Sequence, residues 1–249
     1  MLEIKHLSAD MGGCEFLKDI SLTLPKGTLT ALVGRNGSGK STLLHCIGGV
    51  HKCRGEISLG GDDLRVLPLR ERAKRLSLLP QVLPAPHVTV EELTGFGRNP
   101  YVDIGRRLAE SDRVAIRSAM KAAGVETLAA RFVDELSGGE RQRAYLAMTL
   151  AQETEVLLFD EPTTHLDLVA AEDFLRELTA LRRQGKTLLV VMHDLTQAVH
   201  IADRVAVMEH GKLVFQGETE DFLRQNVPQR VLGLRRWEAE GRSFFTAME

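Results

Sequence analysis

Gly34-Arg35-Asn36-Gly37-Ser38-Gly39-Lys40-Ser41 is the stretch that decides the fold class of this 249-residue chain. It fills every position of G-x-x-x-x-G-K-[ST] and lies between the apolar run Leu29–Val33 and a helical stretch from Lys40 to about Gly49. Glycines let the backbone curl so that its amides face phosphate oxygens. Lys40 adds a point charge toward the β and γ oxygens, and the Ser41 hydroxyl is placed to ligate Mg²⁺. A buried strand feeding such a loop into a helix predicts an α/β protein with a mainly parallel sheet.

Further along, the apolar run Val156–Phe159 ends in Asp160-Glu161. Neighbouring strand residues point to opposite sides, yet at the carboxyl edge of a sheet both reach the crevice where α/β folds bind ligands. Asp160 is the expected Mg²⁺ partner, through water. Glu161 is the candidate base for the attacking water, an assistance worth ~10²–10⁴-fold. His193 follows the run Leu188–Met192 and is placed to contact a γ-phosphate or hold that water. His165, between the acidic pair and Asp167, is the other histidine read as near the site; the rest are read as ordinary. Gln81 follows the strand-like Ser77–Leu79, and its amide suits either Mg²⁺ and water or a plain surface role.

A second anion-binding element is Leu136-Ser137-Gly138-Gly139-Glu140, which opens a helix 24 residues before Glu161, counted from Ser137. A serine hydroxyl, two glycines and unpaired first-turn amides favour negative charge. The segment lies far from the phosphate loop in sequence, so it serves the same nucleotide or one held by another copy.

Apolar and charged fractions of 43% and 27% are those of an ordinary globular protein, and a net charge of −2 gives no basis for binding nucleic acid or anionic lipid. The longest apolar runs, such as Thr187–Met192, are too short to span a bilayer, and Met1-Leu2-Glu3-Ile4-Lys5 lacks the apolar stretch of a secretion signal. Cys14, Cys46 and Cys53 form no CxxC pair and read as buried thiols in a reducing compartment.

The first thirty residues alternate apolar and polar between turns at Gly12-Gly13 and Pro25-Lys26-Gly27, as antiparallel strands do. Glu56–Leu59 and Ser77–Leu79 read as strands, and Pro68 opens a short basic helix. From about 85 to 154 the pattern is helical, with Ser111 as an expected cap and Gly124 as a helix end. Strands return at 156–159, 188–192 and 205–208, separated by helices at about 168–183 and 195–202. The expected division is a core of residues 1–84 and 155–249, with an antiparallel β part, and an inserted helical lobe of residues 85–154. After about residue 226 a short tail with a turn at Glu238–Gly241 is expected.

The phosphate loop at 34–41, Gln81, Leu136–Glu140, Asp160-Glu161, Leu166-Asp167 and His193 occur in the order found in ABC-transporter ATPase subunits, and the resemblance covers essentially the whole chain. It implies a P-loop NTPase core, ATP with Mg²⁺ as cofactors, and two copies packed head to tail. Each ATP would lie between the phosphate loop of one copy, Thr42 included, and Ser137, Gly138 and Gly139 of the other, with Asp167 at the same interface. The metal ligands implied are Ser41, Gln81 and Asp160; Lys40, Gln81, Glu161 and His193 form the implied hydrolytic set. Gln81 would face a polytopic membrane permease, served indirectly by a substrate-binding protein, with the ATPase peripheral on the cytoplasmic face of the membrane.

Thr89–Leu93, Gly97-Arg98-Asn99-Pro100-Tyr101, Leu136–Arg143 and Leu69–Arg75 before Leu79-Pro80-Gln81 resemble the importer ATPases for ferric siderophores, haem and cobalamin. One departure concerns the base. The family stacks adenine on an aromatic ring where this chain has Met11-Gly12-Gly13, leaving the Met11 thioether and the nearby Phe16 for that contact. A soluble ABC ATPase of DNA repair or translation is the alternative from another class. The near-neutral charge and the lack of a second nucleotide domain or long coiled coil weigh against it.

Overall fold

The computed structural model describes residues 1–103, 107–164, 166–239 and 241–248, and the backbone but not the side chain of Met11. Strands β1 (Leu2–Met11) and β2 (Cys14–Leu24) form an antiparallel hairpin; β3 (Leu29–Gly34) then enters the phosphate loop and α1 (Lys40–Gly48) leaves it. Gly49, with φ of 82°, ends α1 in the left-handed conformation that glycine adopts without steric cost. β4 (Arg54–Leu59) and β5 (Asp62–Asp63) complete a four-stranded antiparallel sheet in the order β2-β1-β4-β5. The helix α2 (Leu69–Ala73), opened by Pro68 as expected, leads to β6 (Leu76–Leu79).

Between β6 and the next strand of the same sheet come α3 (Val90–Phe96), α4 (Glu110–Ala122) and α5 (Gly138–Ala151). Thr89 caps α3 reciprocally with Glu92, each accepting from the other's backbone N–H. The expected cap at Ser111 is displaced: α4 begins at Glu110, because the Asp112 carboxylate reaches back to the Ala109 amide at 3.0 Å. The Gly97–Tyr101 segment has a packing role. Arg98 is buried and donates to Asp112, Glu153 and the Ala151 carbonyl while lying 4.0 Å from the Tyr101 ring centroid. A buried guanidinium is tolerated when paired and fully hydrogen-bonded, and this one ties the end of α3 to the start of α4 and the end of α5.

The chain continues through β7 (Val156–Asp160), α6 (Leu168–Arg183), β8 (Thr187–Val191), α7 (Leu195–Ile201), β9 (Arg204–Glu209) and β10 (Lys212–Glu218). The six-stranded sheet has the order β10-β9-β3-β8-β7-β6, parallel throughout except for β10. Its strands alternate between two cores. Leu29, Ala31, Val33, Leu157, Phe159, Leu188 and Val190 face α5 and α6, whereas Leu32, Leu158, Leu189 and Val191 face α1 and the antiparallel sheet. Both faces are buried, which is why these strands read as apolar runs.

The last stretch is more than a tail. After α8 (Thr219–Arg224) and α9 (Val227–Leu232), β11 (Leu234–Ala239) and β12 (Arg242–Ala247) form a hairpin that packs on α7. Its inward residues Leu234 and Phe245 join the main core, and its alternation is masked in sequence by Arg235, Trp237 and Phe244 on the outer face. Cysteine burial also departs from expectation: Cys46 is buried and Cys53 partly so, but Cys14 lies exposed on the first hairpin. His165 lies outside the described residues, and no described helix is long and apolar enough to cross a membrane.

Candidate nucleotide-hydrolysis site

Sheet order explains how distant residues meet. β3, β8, β7 and β6 lie side by side and parallel, so their carboxyl ends share one edge. There β3 delivers the phosphate loop, β8 leads to His193, β7 ends in Asp160 and β6 leads to Gln81. A cavity of about 300 Å³ opens along this edge, lined by Phe16, Asn36, Gly37, Gly39, Lys40, Ser41, Thr42, Gln81, Glu161 and His193.

The loop is shaped by its glycines. Gly39 has φ of 103°, and a Cβ there would stand 2.7 Å from Leu17. Gly34, at φ of 153°, passes so close to β9 that a Cβ would meet the Met208 carbonyl oxygen at 2.2 Å. Behind the loop, Gly211 in the β9–β10 turn donates to the Ser38 carbonyl and accepts from the Lys18 amide. Arg35 projects elsewhere, its guanidinium close to Gly233, and Ser38 is buried, so neither side chain lines the cavity.

Lys40 is 5% exposed and donates to the carbonyls of Gly34 and Arg35 at 2.9 and 3.2 Å. Burial lowers its pKa, while the charges of Glu161 and Asp160 pull the other way. Ser41 Oγ donates to Asp160 Oδ1 at 2.9 Å. Burial raises the Asp160 pKa, opposed chiefly by that hydrogen bond. Ser41, Asp160 and the Gln81 carbonyl offer hard oxygen donors, which suit Mg²⁺. Among the described residues no group of three His, Cys, Asp or Glu could cage a metal alone.

Glu161 shows how two successive residues both serve the crevice. The strand ends at Asp160, and Glu161 turns into the left-handed region at φ of 50°, unusual for a residue with a Cβ. Such strain persists where surrounding contacts over-determine it. Here they are dense: Gln81 Nε2 donates to Glu161 Oε2 at 2.6 Å, Thr164 Oγ1 stands 3.4 Å from the same oxygen, and His193 Nε2 meets Oε1 at 2.5 Å. The Gln81 side chain thus lies on the carboxylate of the candidate base. Sequence reading did not anticipate Thr164, or His45 beside Asp160, because both contacts depend on packing between segments rather than on motif spacing.

Ser137, Gly138, Gly139 and Asp167 stand apart from this cavity. Ser137 caps α5, accepting from the Glu140 amide, while the Glu140 carboxylate accepts from the Ser137 amide and hydroxyl at 2.9 and 2.8 Å. These hydrogen bonds hold the Glu140 carboxyl below its usual range. Asp167 caps α6 through the Ala170 amide at 2.8 Å, and a Cβ on Gly139 would stand 3.7 Å from Ala170. The two helix starts therefore adjoin, with Ser137 and Gly138 exposed. Phe16 lines the cavity; the Met11 side chain lies outside the described residues.

Residues 17–164 match the ABC transporter family. The chain belongs to it. As a member of this family it is an ATP-binding, ATP-hydrolysing protein. The ferric enterobactin transport ATP-binding protein of Escherichia coli is 38% identical over 234 residues, 93% of this chain and 86% of that protein. In structure, the chain is similar to a metal-chelate type ABC transporter in an inward-facing conformation, with a TM-score of 0.85 and 25% identity over 100% of this chain and 97% of the other. A post-hydrolysis dimer of an ATP-binding cassette with ADP and phosphate matches with a TM-score of 0.76 and 27% identity, over 88% of this chain and 99% of the other.

Proposed function

We propose that this chain is the ATPase subunit of an importer for a ferric siderophore or a similar metal chelate. The observation that carries the reading is a near full-length match to a ferric enterobactin ATPase, joined to a hydrolytic cavity with lysine, glutamate, histidine and glutamine in contact range. In this reading Gly34, Arg35, Asn36, Gly37, Ser38, Gly39, Lys40, Ser41 and Thr42 cradle the phosphates, and Phe16 with Met11 meets the adenine. Ser41, Asp160 and Gln81 hold Mg²⁺, which when bound neutralises charge on the phosphate oxygens. Glu161 takes the proton of the attacking water, with Gln81 and His193 orienting its carboxylate.

The γ-phosphate clamp comes from a second copy, whose Ser137, Gly138 and Gly139 face the phosphates while Asp167 lies beside them. Solvent exposure of Ser137 and Gly138, away from the chain's own cavity, supports this arrangement. ATP closes the pair because those contacts exist only in the closed state, and a ligand shifts a conformational balance only through such differential contacts. Residues 85–154 act as the lobe that passes this motion to a membrane permease supplied by a substrate-binding protein. The subunit is thereby peripheral on the cytoplasmic face of the membrane.

Reconstitution with the permease and binding protein tests the reading. Ferric siderophores are expected to stimulate ATP hydrolysis more than haem or cobalamin do. Stimulation by haem or cobalamin alone would move the substrate class, and stimulation by none of them would end the importer reading.

A further inference from the structure

His45 lies four residues after Ser41 on α1, the spacing that puts two side chains on one helix face. Both reach the same carboxylate. Ser41 donates to Asp160 Oδ1, and His45 Nε2 stands 3.5 Å from Asp160 Oδ2, a contact that a small shift of the ring would close to a hydrogen bond. The Asp160 side chain is 2% exposed, so water has little access to either oxygen. On its far side, His45 Nδ1 lies 3.4 Å from His51 Nε2, and the two rings meet edge to face at 5.1 Å.

These distances fit one tautomer chain. A neutral ring that donates from Nε2 presents Nδ1 as an acceptor, and His51 Nε2–H supplies the matching donor. A neutral donor suits this place chemically. It orients the carboxylate without setting a full positive charge against the cation that Asp160 is to bind.

We propose that His45, steadied by His51, is a positioning residue for the Mg²⁺ site: it fixes the second oxygen of Asp160 so that the carboxylate keeps its metal-binding orientation. The inference rests on reading Asp160 as a Mg²⁺ partner. His45 does not line the nucleotide cavity, so its effect passes through Asp160. Outer partners that orient metal-ligating groups typically matter by about 10–100-fold in metal affinity.

The test compares His45→Leu, which keeps bulk and loses the donor, with His45→Gln, which keeps an amide donor of similar reach. A fluorescent ATP analogue is titrated into the full-length variants at increasing Mg²⁺. Without Mg²⁺, both variants are expected to bind the analogue as the parent does. The Mg²⁺ midpoint is expected to rise about tenfold or more in His45→Leu, to return close to the parent in His45→Gln, and to rise less in His51→Leu. An unchanged midpoint in His45→Leu, or an equal defect in His45→Gln, overturns the proposal. Asp160→Asn separates the two readings. If it leaves the midpoint unmoved, the assignment of Asp160 fails and takes the role of His45 with it.

Discussion

At the carboxyl edge of the parallel sheet, Lys40, Gln81, Glu161 and His193 face one cavity, and Glu161 is held by two of the others. The amino ends of α5 and α6 lie outside that cavity: Ser137 and Gly138 are open to solvent, and Ser137 and Asp167 cap their own helices. The first region brings the candidate hydrolytic groups together within one chain. The second is a pair of adjoining, capped helix starts with exposed small residues. In the function proposed above, the difference means that each nucleotide site is shared between two copies, the second region of one completing the first region of the other.

The sharpest way to break that comparison is at Glu161. Replacing it with Gln keeps the shape and one acceptor oxygen for Gln81 but removes the base. Phosphate release is expected to fall by ~10²–10⁴-fold. ATP binding should persist, and an ATP-bound dimer should accumulate on a sizing column. Wild-type turnover in this variant would remove Glu161 from its assigned role.

Two glycines separate the regions next. Gly34→Ala drives a Cβ into the Met208 carbonyl, a backbone atom that cannot swing aside. It is expected to cost roughly 2–3 kcal/mol, lower the melting temperature by several degrees and weaken ATP binding by the isolated subunit. Gly139→Ala meets Ala170 at an ordinary 3.7 Å and improves helix propensity. Its melting temperature should hold or rise while ATP-driven pairing, followed by sedimentation, weakens about tenfold. Equal damage to the monomer by both substitutions would erase the distinction.

The smallest effect is expected behind the outward face. Glu177 on α6 has its carboxyl pushed up to about 7 by burial, with Arg143 of α5 partly opposing. A carboxyl raised in the folded state is more protonated there than in the unfolded chain between about pH 4.5 and 7. Its ionisation therefore lowers stability as pH rises through that window. Glu177→Gln should leave stability near the parent at pH 4.5 and exceed it by about 2 kcal/mol at pH 8, measured by denaturant melts. A pH-independent difference would show that ionisation of Glu177 is not the cause.

Much of the first region was legible in sequence because each of its residues sits beside an apolar strand end. Leu29–Val33, Val156–Phe159 and Leu188–Met192 announce buried parallel strands, and such strands bring their following residues to one edge. What sequence could not supply was local conformation and cross-segment contact. The left-handed turn at Glu161 has no glycine to signal it. Gln81 reaches Glu161 because β6 pairs with β7, a pairing that spans 80 residues. His45 carried a faint signal, its four-residue spacing from Ser41, which gains meaning once α1 is seen against β7. The final hairpin escaped because Trp237 and Phe244 are apolar residues on its outward face, which hides the alternation from a pattern search. Residues 136–140 open a helix as the sequence suggests, and Glu140 is hydrogen-bonded into its cap.

Gly211 joins three separate stretches at one point: its amide holds the Ser38 carbonyl, its carbonyl holds the Lys18 amide, and a Cβ there would strike the Phe16 carbonyl. Hydrogen exchange makes the consequence visible. Amides that open in one cooperative unit lose protection together. The backbone protons of Lys18 and Gly211 should thus exchange in step, and both should slow when nucleotide quiets the loop between them. A turn near the end of the sheet would then report occupancy at a loop that precedes it by most of the chain.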